Sequence, residues 1–216
     1  MRTIVLVLRS GKDFSFRDVN LIVNKIVNKW QNGKPRIICI WDKCTEPYNI
    51  GNLELIPMTN NYPGTWSRMQ LYSPEMEKYR PFLYVDLDTA IISSLEFIFD
   101  LIKDESEFIT LEDFWQPGLL ATGLVWFPAK SEKISKVWQA WLNNNQVFGF
   151  RMDYFLRKFV KADKYFQDLT DKIMDFKPKY NGVLSEKPSH GLVCFHGKPR
   201  IFECQIEWVK DYVNQT

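Results

Sequence analysis

Two aspartates separated by a single residue, Asp86 and Asp88, follow the apolar run at residues 82–85. Residues i and i+2 of an extended chain project to the same side, so both carboxylates can approach one cation. Mg²⁺ and Mn²⁺ prefer such oxygen ligands and keep an affinity for phosphate oxygens. The triplet therefore predicts a divalent-cation site; the alternative interpretation is a strand-to-loop turn in which one aspartate caps the next helix.

A histidine near the other end of the chain offers a further metal ligand. The apolar residues 193–195 lead into His196, Gly197 and Lys198. An imidazole can complete a metal site, glycine lets the backbone approach a phosphate closely, and lysine supplies a compensating charge. The alternative is a histidine with a structural role, which is the interpretation we give to His190.

The elements that position these residues begin with a strand, a helix and a second strand. Residues 3–8 are apolar without interruption, as in a strand buried on both faces. Apolar side chains recur with helical spacing over residues 16–30, and Pro35 precedes a second buried strand at residues 36–41. This order predicts a parallel sheet with a right-handed crossover, and ligands bind at the carboxyl ends of strands in open sheets of this kind.

The rest of the chain continues to alternate strands with helices. We predict strands at residues 53–57, 82–85, 108–111, 123–127 and 193–196, and helices at residues 65–76, 91–102, 131–141 (with Ser131 as its N-cap), 152–160 and 205–213. No repeat or low-complexity linker interrupts this pattern. The sequence therefore predicts an α/β fold, in which a mixed, mostly parallel central sheet is flanked by helices within a single domain.

Composition excludes several classes of protein. The 216 residues are 45% hydrophobic and 15% aromatic, which is enough for a substantial core. A net charge of +2 with interspersed acids and bases gives no basic stripe, so we expect no nucleic-acid partner. No stretch approaches about 18 apolar residues, so we expect no membrane span. The four cysteines are scattered without CxxC spacing, which argues against zinc and favours a reducing, cytoplasmic location.

The order of the motifs resembles a known family. Trp66-Ser67-Arg68-Met69, the segment at residues 84–89, Ser93-Ser94-Leu95 and the segment at residues 195–199 together resemble the DXD-containing GT-A glycosyltransferases. The resemblance is strongest to family 8, which includes glycogenin and the bacterial lipopolysaccharide galactosyltransferases. The chain also resembles the small glycosyltransferase domain that chloroviruses encode for capsid glycans, and for a virus-encoded chain the expected location is the host cytoplasm.

The resemblance implies a nucleotide-sugar donor, in particular a UDP-sugar, with Mn²⁺ or Mg²⁺, and a glycan, glycoprotein or glycolipid acceptor. It implies a nucleotide-binding half at about residues 1–90 and an acceptor half at about residues 91–216. Asp86, Asp88 and His196 would be the metal ligands. The implied donor-binding residues are Leu8, Arg9, Ser10, Asp42, Arg68, Asp86, Gly197 and Lys198.

Two departures from the family pattern leave the donor sugar and the stereochemical course open. Ala121-Thr122-Gly123 stands in place of Asn-x-Gly, and residues 149–153 stand in place of Gly-Asp-Gln. An inverting enzyme needs a carboxylate base near the acceptor hydroxyl, and Asp113, Asp153 and Glu112 are the candidates, with Asp113 and Asp153 preferred. In a retaining enzyme the leaving phosphate could serve as base.

Two other functions fit parts of the sequence. Residues 85–89 also match the strand-DxDxT nucleophile motif of haloacid-dehalogenase-type phosphatases, although that motif normally follows the first strand, whereas here a complete strand-helix-strand unit precedes it. A non-catalytic sugar- or nucleotide-binding domain could keep the fold without turnover. The loop at residues 112–115 sets acids beside aromatic rings, and it is either an acceptor pocket or an exposed loop with one buried ring.

Overall fold

The protein is built on a mixed β-sheet flanked by helices, as seen in a computed structural model that describes residues 1–11, 13–43, 51, 53–144, 151–177 and 182–215. Within these ranges the strands are β1 (Thr3–Leu8), β2 (Arg36–Trp41), β3 (Leu53–Pro57), β4 (Phe82–Val85), β5 (Thr89–Ile91), β6 (Ile109–Glu112), β7 (Leu120–Phe127), β8 (Lys164–Tyr165), β9 (Ile173–Asp175) and β10 (Leu192–Cys194). The α-helices are α1 (Phe16–Lys29), α2 (Glu96–Leu101), α3 (Glu132–Asn143), α4 (Met152–Phe159), α5 (Phe166–Leu169) and α6 (Glu207–Asn214).

The central sheet of the described residues has seven strands in the order β3-β2-β1-β4-β7-β6-β8. Strand β1 pairs in parallel with β2 and β4, and the pairs β2–β3 and β6–β8 are also parallel. Strand β7 runs antiparallel to both of its neighbours, β4 and β6. The prediction of a mixed, mostly parallel sheet flanked by helices is therefore confirmed.

Alternate residues of β1 face two separate cores. Ile4, Leu6 and Leu8 pack against the apolar face of α1, whereas Val5 and Val7 belong to a second core with residues of α3 and α4. Because both faces are covered, every position of the strand is buried, which is the reason for its uninterrupted apolar sequence.

Helix α1 begins where the chain supplies a capping box. The Ser15 hydroxyl accepts a hydrogen bond from the Arg17 N–H, and the Asp18 carboxylate accepts one from the Ser15 N–H at 2.8 Å. These bonds satisfy donors that the first turn of a helix leaves open. The helix ends at Lys29, one residue before the predicted end.

Several predicted helices differ from the structure. The segment predicted as a helix at residues 65–76 forms two 3-10 helices, Gly64–Tyr72 and Pro74–Tyr79. Pro74 lacks the N–H that a continuous helix needs and keeps Ser73 in an extended conformation. Ser131 precedes α3 as predicted, but its side chain makes no capping hydrogen bond.

Of the second sheet, only the strand near residues 193–196 was predicted from the sequence. Within the described residues it has three strands in the order β5-β10-β9. The helix expected to start at residue 91 begins at Glu96, because Ile91 pairs with Leu192 of β10. Strands β5 and β9 span three residues each, too few for a periodic pattern to reveal them. This small sheet carries the end of β10 to the site described below.

Two expectations from composition can be compared with the fold. Cys39 in β2 and Cys194 in β10 are free and buried, as expected for thiols inside apolar strands; Cys204, which follows the 3-10 helix Ile201–Glu203, is also free and buried, and Cys44 lies outside the described residues. None of the helices in the described ranges combines the length and apolar character needed to cross a bilayer.

Candidate functional site

The acidic residue that follows β4 is held by two buried side chains. The Asp86 N–H still donates to the Gly123 carbonyl of β7 at 2.9 Å, so its backbone is fixed by the sheet. Its Oδ2 accepts a hydrogen bond of 2.8 Å from Arg68 Nη1, and its Oδ1 accepts one of 3.1 Å from the Tyr84 hydroxyl. The 3-10 helix Gly64–Tyr72 thus places the predicted donor-binding arginine directly on the first aspartate of the triplet.

The second aspartate of the triplet is paired with an arginine from the end of the chain. Asp88 Oδ2 accepts a hydrogen bond of 2.5 Å from Arg200 Nη1. Burial and the charge of Asp86 raise the pKa of Asp88 well above its ordinary value, although Arg200 acts to lower it. Burial is the larger of these effects, and repulsion between the two carboxylates of the triplet adds to it.

His196 reaches the same edge of the sheet from β10. The N–H of the preceding residue, Phe195, donates to the Asp88 carbonyl at 2.8 Å. The imidazole Nε2 lies 3.7 Å from Asp175 Oδ1. Burial lowers the pKa of His196, although the charge of Asp175 acts to raise it. The ring is therefore neutral at neutral pH, which is the form that can bind a metal.

The predicted metal ligands bring suitable donor atoms to one edge of the sheet. Two carboxylates suit a hard divalent cation, and His196 Nε2 is buried without a hydrogen-bond partner among the described residues. In the part of the chain that the structure describes, however, no three His, Cys, Asp or Glu side chains are grouped to hold a metal ion. The donor set fits a divalent cation, but a three-ligand site requires the side chains to move, since arginines hold Asp86 and Asp88.

The predicted nucleotide-binding residues lie where β1 and β2 end. Ser10 donates two hydrogen bonds to the Asp42 carboxylate, from its N–H at 2.7 Å and from its hydroxyl at 2.9 Å. Arg9 Nη1 lies 3.5 Å from the same carboxylate, and Leu8 is buried beneath the turn. Because β1 lies between β2 and β4, this cluster flanks the edge at which Asp86 leaves the sheet.

Gly197 and Lys198 differ in how well they suit their predicted role at the diphosphate. Gly197 has a φ of +64°, a left-handed conformation that favours glycine. Lys198 Nζ turns toward two carboxylates, at 2.6 Å from Glu203 Oε1 and 3.4 Å from Asp13 Oδ1. The side chain of Lys198 is half exposed, so its charge is directed to the surface.

Asp153, one of the two preferred catalytic carboxylates, lies next to the triplet. Its Oδ1 accepts a hydrogen bond of 2.6 Å from the Thr122 hydroxyl, and its Oδ2 lies 3.8 Å from Arg151 Nη2. Its charge also acts on the buried guanidinium of Arg68, the residue that bonds Asp86. Residues 149 and 150, compared above with the Gly-Asp-Gln pattern, lie outside the described residues.

Asp113, the other preferred carboxylate, is fully engaged by its own surroundings. It accepts hydrogen bonds from Arg157 Nη2 at 2.5 Å and from the N–H groups of Trp115 and Gln116 at 2.9 and 3.1 Å. Burial acts to raise the pKa of Asp113, but these hydrogen bonds outweigh it and the pKa lies below its ordinary value. A carboxylate with a lowered pKa is a weak base, so Asp153 is the better candidate.

Two site residues, Arg200 and Asp175, did not emerge from the sequence patterns. Arg200 pairs with Asp88, Asp175 lies beside His196, and the Trp115 indole N–H donates to Asp175 Oδ2 at 3.0 Å. Trp115 belongs to the loop that the sequence predicts as either an acceptor pocket or an exposed loop, and its side chain is about half exposed. A second basic residue two positions after Lys198 is the sequence feature that could have revealed Arg200. Asp175 ends a strand too short to show a pattern.

A large groove lies away from these residues. It has a volume of about 1150 Å³ and is lined by α3, the 3-10 helix Pro74–Tyr79, Arg80 and Phe159. Only Pro81 separates Arg80 from the start of β4, and α3 follows the end of β7, which runs antiparallel to β4. The groove therefore lies at the opposite end of these strands from Asp86. It takes no part in the site.

The fold is shared with several glycosyltransferases of known structure. The galactosyltransferase LgtC, solved with donor and acceptor sugar analogs, superposes with a TM-score of 0.64 at 13% identity over 99% of this chain and 95% of LgtC. GlyE from Streptococcus pneumoniae gives 0.68 at 14% identity over 99% of this chain and 61% of GlyE. The bifunctional glycosyltransferase WbbM gives 0.69 at 9% identity over 100% of this chain and 51% of WbbM.

These comparisons define the fold as a GT-A-like glycosyltransferase fold of the LgtC type. No protein-family model matches the sequence, and no curated protein matches it. The expectation of a GT-A-like fold is confirmed, and the likeness to the chlorovirus domain stays a prediction.

Proposed function

We propose that this protein is a metal-dependent glycosyltransferase that moves a sugar from a UDP-sugar to an acceptor hydroxyl in the synthesis of a glycan or glycoconjugate. The observation that supports the proposal is that the end of β10, which leads into His196, lies beside the Asp86-Leu87-Asp88 triplet, where the Phe195 N–H donates to the Asp88 carbonyl at 2.8 Å. The GT-A-like fold supports the same function.

The residues of the site divide into groups with separate tasks. Asp86 and Asp88 would hold Mn²⁺ or Mg²⁺ together with His196. A bound divalent cation stabilises the negative charge that develops on the diphosphate as the sugar leaves. The cluster of Ser10 and Asp42 would orient the nucleoside at the ends of β1 and β2.

Asp153 would face the sugar or the acceptor hydroxyl. Its Oδ1 is held by a hydrogen bond of 2.6 Å from Thr122, and its Oδ2, which lies 3.8 Å from Arg151 Nη2, would face a hydroxyl or developing positive charge on the sugar ring. The exposed Trp115 ring, in the loop after β6, offers an apolar face on which an acceptor sugar can stack.

The test is a calorimetric titration of UDP into the protein with Mn²⁺ and with EDTA. We expect micromolar binding that needs the metal and that weakens at least about tenfold in Asp88→Ala, since this substitution removes a proposed ligand. Asp211→Ala, on the exposed face of α6, is the matched control and should bind like the wild type. Binding that survives both EDTA and Asp88→Ala would contradict the metal-dependent site.

Two further outcomes separate the alternatives. Failure of every nucleoside diphosphate to bind would favour the phosphatase or the binding-module function. A phosphatase should be trapped at Asp86 by a fluoride analogue of an aspartyl-phosphate, whereas a glycosyltransferase should hydrolyse a UDP-sugar slowly when no acceptor is present. A pure binding module should bind the donor and release no UDP.

A further inference from the structure

Arg200 forms a largely buried ion pair with Asp88, the second aspartate of the triplet. Its Nη1 lies 2.5 Å from Asp88 Oδ2, and the side chains are 17% and 14% exposed, respectively. The guanidinium also packs over the Phe14 ring at 4.6 Å and lies 3.6 Å from Asp13 Oδ2. Contacts on several sides hold the guanidinium in place, unlike a mobile surface cation.

The guanidinium of Arg200 has a donor left over. Its Nε is buried and makes no hydrogen bond within the described part of the chain. An unsatisfied buried donor is unfavourable and is normally met by a partner. Guanidinium N–H groups form a planar fork that matches two oxygens of a phosphate. An oxyanion is therefore the class of ligand that this guanidinium suits.

Lys198, the residue that the family resemblance places on the diphosphate, is directed elsewhere. Its Nζ lies 2.6 Å from Glu203 and 3.4 Å from Asp13, and its side chain is 52% exposed. Arg200 is the more buried cation, and it contacts the DXD triplet directly.

We propose that Arg200, rather than Lys198, binds the donor diphosphate, and that it competes with the divalent cation for the carboxylate of Asp88. The proposal rests on the proposed function. A divalent cation and a guanidinium repel each other at one carboxylate oxygen. A diphosphate offers Arg200 other oxygens, which frees Asp88 for the cation. Nucleotide and cation therefore assist each other's binding, and this coupling is reciprocal.

The experiment compares the wild type with Arg200→Gln, Lys198→Gln and Arg36→Gln. Arg36 is a charge-matched control because it pairs with Glu54 at the start of β2, away from the site. Binding of Mn²⁺ alone is measured by electron paramagnetic resonance, and binding of UDP in the presence of Mn²⁺ by calorimetry. Thermal melting shows that each variant is folded.

We expect opposite changes in the two measurements for Arg200→Gln. Its UDP affinity should fall about 10- to 100-fold, because a charged hydrogen-bond partner of the diphosphate is lost. Its affinity for Mn²⁺ alone should rise about fivefold, because Asp88 is no longer occupied by a competing cation. Lys198→Gln should lose less UDP affinity than Arg200→Gln, and Arg36→Gln should match the wild type in both.

The results separate this inference from the proposed function. If wild-type protein binds UDP with Mn²⁺ but Arg200→Gln binds both ligands as the wild type does, the inference is overturned and the proposed function stands. If the wild type binds no UDP, the proposed function fails and the diphosphate role of Arg200 fails with it. If Arg200→Gln does not fold, Arg200→Lys replaces it. Because lysine keeps the positive charge, the affinity for Mn²⁺ should stay unchanged. The affinity for UDP should fall, because lysine lacks the planar guanidinium fork that binds two phosphate oxygens.

Discussion

The indole N–H of Trp115 donates a hydrogen bond of 3.0 Å to Oδ2 of Asp175. The other oxygen of that carboxylate accepts the Lys177 N–H at 2.9 Å and lies 3.7 Å from Nε2 of His196. One buried carboxylate thus joins the loop between β6 and β7 to the segment that carries the histidine. The loop that would bind an acceptor and the residue that would bind a metal share this contact.

Asp175 should influence the protonation of His196. Burial lowers the pKa of His196 and the charge of Asp175 is the largest effect that opposes it, so Asp175→Asn should lower the pKa further. The chain has two histidines, so an NMR titration of the ring protons can follow both. The exposed His190 supplies the second set of ring signals, which serves as the internal reference in both proteins. An unchanged or raised pKa of His196 in Asp175→Asn would contradict the contact.

Gly191, at the start of β10, should tolerate no side chain. Its φ is +91°, and an added Cβ would overlap the carbonyl oxygen of Lys172. Gly33 has a φ of +77° but open space around it, so Gly33→Ala isolates the cost of the left-handed backbone, roughly 1–2 kcal/mol. Gly191→Ala should lose at least about 2 kcal/mol more, measured by urea unfolding. Equal losses would mean that the backbone shifts to make room for the methyl group.

The sequence predicted the parts of this molecule that have a strong periodic signal. Residues 4–8 alternate between two cores and are uniformly apolar, and the amphipathic pattern of α1 gives its position to within one residue. The triplet at Asp86 and the segment at His196 follow predicted strands, and strand pairing brings both to one edge. The contact of Arg200 with Asp88 joins residues 112 positions apart, and no local pattern carries such information. The same holds for Asp175, whose importance comes only from its neighbours in space.

Glu96 should stabilise the fold near neutral pH. Its carboxylate accepts hydrogen bonds from the N–H groups of Gln31 and Asn32 at 2.7 and 3.0 Å and from the Ser94 hydroxyl at 2.8 Å. Burial acts to raise the pKa of Glu96, but these hydrogen bonds outweigh it and lower the pKa. Glu96→Gln should therefore cost about 1–3 kcal/mol at neutral pH.

The pH dependence of this loss has a definite sign. Because the pKa of Glu96 is lower in the folded state, its contribution is present above the unfolded pKa and is lost as the pH falls through the folded pKa. The difference in urea midpoint between the wild type and Glu96→Gln should shrink below about pH 4. Glu132→Gln, at a side chain that is 90% exposed, should show no such difference. A Glu96→Gln effect that is constant with pH would indicate a packing role instead.

Asp153 and Asp113 should differ in kinetics although both are carboxylates at the site. Asp153 accepts a short hydrogen bond from Thr122, and its charge acts on Arg68, which in turn bonds Asp86. Asp153→Asn should lower kcat about 100-fold or more, as expected when a general base or a stabilising charge is removed, while UDP binding changes little. Asp113 is bonded to Arg157 at 2.5 Å, and its loss leaves that guanidinium without its carboxylate.

Asp113→Asn should therefore act first on stability, with a loss of about 1–3 kcal/mol, and its kcat should fall less than that of Asp153→Asn. Transfer to acceptor and release of UDP without acceptor are measured separately for both variants, together with urea unfolding. A role of Asp153 as acceptor base predicts that transfer falls more than donor hydrolysis. A role beside the donor sugar predicts that both fall together, because the same developing charge is then left unstabilised in either reaction. Equal kcat values for the two variants would contradict the assignment of a catalytic role to Asp153 and a structural role to Asp113.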